Sequence, residues 1–181
     1  EVARLHAVHQ GWKETMAQAL TQGVTALPKA ASRRRSLREV IARLATLSDQ
    51  ELAFLTAEAE RSEQQMLLWL ANCRAYRFVA EFATEVLQER FLARRFDLPP
   101  ESFDLFFEEK AEWHRKLATI SASTRRKLRQ VLFRIMREAG VISDANAIQH
   151  ANLSPRLEDM IRTRKPTELV FFPGFAHAGR R

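Results

Sequence analysis

The segment Ser121 to Val141, SASTRRKLRQVLFRIMREAGV, admits little other than a helix. Ser121 or Ser123 can accept a hydrogen bond from the free amides of a first turn, and Gly140 can take the left-handed conformation that closes a last one. Between them Leu128, Val131, Leu132, Ile135, Met136 and Ala139 recur at helical spacing, which at about 100° per residue gathers them on one side. Arg126, Lys127, Arg134 and Arg137 fall on the other side, and Phe133 falls off the apolar stripe. Six cations (Arg125, Arg126, Lys127, Arg129, Arg134, Arg137) stand against one acid, Glu138. Only Arg134 has an acid four residues on, so the helix does not neutralise its own charge.

A second segment has the same character. From Lys29 to Leu44 six cations (Lys29, Arg33, Arg34, Arg35, Arg38, Arg43) face one acid, Glu39. Ser36 and Glu39 stand at capping-box spacing, and Leu37, Val40, Ile41, Leu44 and Leu47 form an apolar face. Hydroxyls, a helix N-terminus and arginines together are what a phosphate contact is made of.

The remaining segments read as helices with short connections. Residues 2–23 form a helix broken at Gly11 and stopped at Gly23, with Leu5, Val8, Trp12, Met16 and Leu20 inward. His6 and His9 are three apart, but no further ligand clusters with them, so they read as surface histidines. Ser48 caps an acidic helix over 49–60. A helix from Ser62 buries Met66, Leu67, Trp69, Leu70 and Cys73, and one over 78–95 carries Phe82, Val86, Leu87 and Phe91. Pro99-Pro100 break the chain before a helix over 101–113 with Phe103, Phe106 and Phe107. Between Asp97 and Glu112 six acids face Lys110 alone, so basic and acidic charge are segregated by helix. After Gly140, apolar alternation around Asp144-Ala145-Asn146 predicts a small β-hairpin, and a basic helix followed by a hairpin is the order of a winged helix. Pro155 opens a last helix through Arg164, and Phe171, Phe172 and Phe175 are expected to dock.

Five Gly and six Pro in 181 residues favour an all-α bundle of seven to eight helices over a turn-rich β fold. We expect one helical domain over 1–181, with sub-bundles at 1–98 and 99–181 as the finer division. The net charge of +7 points to a polyanion, nucleic acid before an anionic membrane. One cysteine, Cys73, excludes an internal disulfide, and no apolar run is long enough to span a bilayer. With no signal-peptide pattern, a cytoplasmic protein is expected. The chain opens on Glu1 rather than Met, which leaves room for residues ahead of it.

Catalytic patterns are sparse. There is no Gly-rich phosphate loop, nucleophile elbow or zinc spacing, so neither cofactor nor metal is expected, nor an enzyme. Asp104, Glu108 and Lys110 imitate the acid–acid–lysine set of metal-dependent nucleases. On a helix, however, Lys110 lies about 200° past Glu108 and points away. Trp113-His114 reads as a helix end with the indole packed.

Four segments carry a resemblance: SRRRSLREVIARLATLSDQEL, LLWLANCRAYRFVAEFATEVLQERFL, FDLFFEEKAEWH and STRRKLRQVLFRIMREAGVI. In this order, from about Ser32 to Ile142, they resemble the BrxA family, small accessory proteins of bacterial BREX phage-exclusion systems. The resemblance implies an all-α protein, similar to NusB-like helical bundles, that binds double-stranded DNA without known catalysis. The family has also been labelled an inner-membrane protein, which the absence of a spanning segment contradicts. The charge pattern then nominates Arg33, Arg34, Arg35, Arg38, Arg125, Arg126, Lys127, Arg134 and Arg137 for phosphate contacts, with Gln130 the one side chain suited to a base edge. Readout should be weakly sequence-specific, and RNA remains open as a ligand. In the alternative reading the protein is an adaptor: the basic face docks an acidic partner among other BREX proteins, and Phe133 with the FFPGF tail adds apolar contacts.

Overall fold

A computed structural model of the chain describes residues 1–9 and 11–175, His9 by its backbone only. The residues group into two compact units, Glu1–Ala75 and Tyr76–Arg181.

The first unit contains α1 (Val2–His9), α2 (Trp12–Thr21), α3 (Ala30–Leu44), α4 (Asp49–Ala57) and α5 (Arg61–Ala75). Gly11, extended at φ −142°, separates α1 from α2 as expected. Their inward stripe differs from the expected one. Thr15 and Ala19 are buried, Val8 is 74% exposed, and Trp12 is half-buried with its indole stacked on His6 at 3.6 Å. His6 also lies 3.3 Å from the Thr15 hydroxyl, so it belongs to this packed corner rather than to open surface. Helix α3 begins at Ala30 with Lys29 as its extended N-cap, so Ser36 sits inside the helix and caps nothing. The capping box stands at Ser48 instead: its hydroxyl accepts from Glu51 N, and its own amide donates to Glu51 Oε2 at 2.7 Å. The same buried Glu51 carboxylate takes two bonds from Arg74, at 2.8 and 2.9 Å. Met66, Leu67, Trp69, Leu70 and Cys73 are all buried on α5.

In the second unit one helical rod runs through α6 (Arg77–Phe82), a π-helical turn (Ala83–Gln88) and α7 (Glu89–Leu92). Then follow α8 (Glu101–Trp113), α9 (Arg115–Ala118), α10 (Ala122–Glu138), α11 (Pro155–Arg164) and a 3-10 turn (Pro166–Phe171). Phe78 and Phe82 meet Phe106 edge-on, at 5.1 and 5.3 Å between centroids, and Phe103 and Phe107 complete the aromatic core. The tail docks as expected, with Phe172 fully buried. Buried Gln88, in the π turn, holds it: its amide donates to Phe175 O at 2.8 Å, and its Oε1 accepts from Gly174 N at 3.3 Å.

The protein is all-α, with no sheet among the described residues. Eleven α-helices are present there rather than seven or eight, because Gly11 and the π turn divide two long ones and α9 is a single short turn. The expected hairpin reduces to two isolated antiparallel bridges, Ile142 with Ile148 and Asp97 with Ala147. The return arm crosses to Asp97 instead of extending its own pairing, so no wing follows the basic helix. Trp113 is 81% exposed, not packed; α8 ends at this residue and His114 turns to extended backbone. Among the described residues no helix is long and apolar enough to cross a membrane.

Candidate nucleic-acid interface

Helix α10 has the termini its sequence encodes. The Ser121 hydroxyl accepts from Thr124 N at 3.3 Å. At the other end Gly140, at φ 74°, lets its own N–H reach Arg137 O and that of Val141 reach Met136 O, the two bonds of a Schellman closure.

Its buried face is rotated from the expected stripe. Leu132, Phe133, Met136 and Ala139 are buried, whereas Leu128 is 39% exposed. Phe133 therefore belongs to the core. Continued toward the N-terminus by steps of three and four, this face runs through Arg129 and Arg125. Those two arginines complete the packing by pairing with α8. Arg125 donates to Asp104 Oδ1, to Asp104 O and to Glu108 Oε1 at 2.9–3.0 Å, with its guanidinium 4.9 Å from the Phe107 ring centre. Arg129 donates to the other Asp104 oxygen. Burial alone would lower the Arg125 pKa, but the bonds from Glu108 and Asp104 outweigh it and hold the charge more firmly than usual. Arg125, expected among the phosphate ligands, is thus committed to a cross-helix carboxylate pair.

The outward face is different. Arg126, Lys127, Gln130, Arg134 and Arg137 share an arc of about 100° that borders the core at Phe133 and turns away from it toward Lys127. Among the described residues Arg126, Lys127 and Gln130 are exposed and have no hydrogen-bond or ion-pair partner. Arg134 is 3.7 Å from Glu138 with both side chains about two-thirds exposed (64% and 68%), a pair worth little in water. Arg137 leans on Asn146 Oδ1 at 2.7 Å.

In the first unit Arg34, Arg35 and Arg38 of α3 are exposed and Arg33 is half-buried. Among the described residues these four have no hydrogen-bond or ion-pair partner. Further along the same helix Arg43 does, lying 3.9 Å from Glu39.

The acids of α8 do not form a metal site. Asp104 and Glu108 face the α10 arginines, whereas Lys110 reaches Glu85 at 2.8 Å and Glu81 at 3.3 Å. Burial pulls the Lys110 pKa down, but the two carboxylates more than reverse this and leave it raised, the wrong direction for a proton acceptor. Among the described residues no three His, Cys, Asp or Glu side chains converge in a way that would hold a metal ion.

A small all-helical protein with unspent arginines on two basic helix faces is the class these features define. The chain belongs to the BrxA family, whose profile matches residues 1–165. It is 27% identical over 139 residues to the BREX protein BrxA of Bacillus cereus (strain H3081.97), across 76% of this chain and 69% of that protein. Family membership supports a role in phage defence. The fold is also that of an uncharacterized protein from Magnetospirillum magneticum, whose crystal structure superposes with a TM-score of 0.75 over 97% of this chain and 91% of that one, at 17% identity.

Proposed function

We propose that the protein is a non-catalytic DNA-binding component of a BREX phage-defence system. It grips duplex phosphates through Arg126, Lys127, Arg134 and Arg137 on α10 and through Arg33, Arg34, Arg35 and Arg38 on α3, with little sequence readout. The observation that carries this reading is the division of the α10 charges: Arg125 and Arg129, facing inward, are paired with α8, whereas Arg126 and Lys127 are exposed and unpaired among the described residues and the Arg134–Glu138 pair lies in solvent. The adaptor alternative loses Phe133 and Phe172, two of the apolar contacts assigned to it, because both are buried.

Fluorescence anisotropy against a duplex, a single strand and an RNA hairpin, across a salt series, tests the reading. With the four α10 cations alone on phosphate, log K should fall against log salt with a slope of about −3.5; with the α3 four as well, about −7. Changing Arg126, Lys127, Arg134 and Arg137 to Ala should remove the α10 share of that slope. A wild-type slope near zero on the duplex refutes the reading.

A further inference from the structure

The turn after α7 differs from the two other Schellman closures of the structure. Three helices close with paired Schellman bonds: α2 at Gly23 (φ 64°), α10 at Gly140 (φ 74°) and α7 at Arg94 (φ 55°). The first two use the residue that has no Cβ to strain in left-handed backbone. The third places an arginine there, with Arg94 N bonded to Phe91 O and Arg95 N to Arg90 O. Such strain persists where the surrounding structure holds it, and it clusters at functional sites.

The surroundings show what the side chain could serve. Arg94 and Arg95 are exposed and, among the described residues, have no hydrogen-bond or ion-pair partner. The next residue, Phe96, is 46% exposed. It begins a row of rings: Phe96 to Phe91 at 5.4 Å, Phe91 to His150 at 5.9 Å, and His150 to Phe175 at 5.6 Å. Exposed Leu92 precedes the two arginines. The loop is tied down by three hydrogen bonds. Phe96 O accepts from Ile148 N at 2.6 Å, and Arg90 clamps Asp97 through both its carbonyl and its carboxylate, at 2.7 and 2.8 Å. A half-open aromatic ring that directly follows two exposed, unpaired arginines in a hydrogen-bonded turn matches the chemistry of an unstacked base and its flanking phosphates. Along its length a duplex keeps its bases in the stack and offers no face to such a ring.

We propose that Arg94, Arg95 and Phe96 form a second nucleic-acid contact, distinct from the α10 face, that binds unpaired nucleotides by stacking on Phe96 with phosphates on Arg94 and Arg95. Arg137 of α10 bonds Asn146, whose carbonyl accepts from Leu98 N just past this loop, so a strand leaving the α10 face has a short path to it.

The test uses the full chain with fluorescein-labelled oligo-dT and a labelled blunt duplex. Arg94→Gly removes the cation while giving the backbone the residue it favours, so folding is retained or improved. Phe96→Leu keeps apolar volume over Phe91 and removes the π face. Each should weaken oligo-dT binding about fivefold or more, the scale of one stacked base, and leave duplex binding within twofold. The α10 quadruple Ala variant should do the reverse. Unchanged oligo-dT affinity in Arg94→Gly or Phe96→Leu would overturn the proposal. So would loss of oligo-dT binding in the α10 variant, which would place single strands on that helix. Failure of duplex binding alone would sink the proposed function and leave this contact standing.

Discussion

Asp104 pairs with two arginines at once, and removing its charge should destabilise the protein and, if α10 binds DNA as proposed, tighten that binding. In Asp104→Asn the side chain keeps its shape and one acceptor oxygen, and Glu108 keeps its bond to Arg125. What is lost is the charge that Arg125 and Arg129 share. The three side chains are 24–30% exposed, between the surface and the interior. Each exposed pair is worth roughly 0.2–1 kcal/mol, and charged hydrogen bonds out of water are worth more, so the two together should cost about 1–2 kcal/mol. In a protein of this size that lowers Tm by about 3–6 °C. The effect on binding has the opposite sign. Arg129, released from its partner, can reach solvent beside Arg126, and each added phosphate contact steepens the salt slope by about 0.9. Differential scanning fluorimetry and duplex anisotropy in a salt series measure both. Unchanged Tm would show that Asp104 does not hold the arginines. Lower Tm with an unchanged or shallower salt slope would count against the proposed DNA contact at the α10 N-terminus.

Three further outcomes follow from the packing. Burial raises the pKa of Glu81, but Arg77 and Lys110 outweigh it and leave it below the ordinary 4.5. A group depressed in this way adds stability above its unfolded value that is lost as pH falls through its folded value, so Glu81→Gln should flatten the fall of Tm with pH below about 4.5. Phe133→Ala should cost about 3–5 kcal/mol by urea denaturation, because the ring is 5% exposed; a cost under about 0.5 kcal/mol would return Phe133 to the surface. Of the three tryptophans, Trp69 is fully buried, Trp12 is half-buried beneath His6 and Trp113 is 81% exposed. Iodide should therefore quench mainly Trp113, and Trp113→Phe should remove most of the quenchable emission.

The elements legible in the sequence are those whose signals are local. Ser121 and Gly140 bound α10 as read, Ser48 caps α4, and Gly11 breaks the N-terminal helix. The face of α10 was harder to read because periodicity counts apolar residues and cannot see a partner from another helix. Arg125 and Arg129 lie on the inward face, where Asp104 and Glu108 wait, so the apolar stripe alone gave an axis rotated away from Phe133. The acid run on α8 and the basic run on α10 were both visible as charge segregation. Their mutual neutralisation was not, because it depends on which helices pack together.

The same logic sorts the arginines. An arginine with a carboxylate within reach spends its charge on the fold, and Arg74 on Glu51 is the extreme case, nearly out of water. An arginine left in solvent costs the fold little and is available to a ligand. Arg94 goes one step further, because it stands where glycine would fit the backbone better, and its side chain makes no hydrogen bond or ion pair among the described residues. Charge counts treat Arg74, Arg94, Arg125 and Arg126 as equal. Their partners and backbone conformations do not, and that difference separates a structural cation from one free to meet nucleic acid.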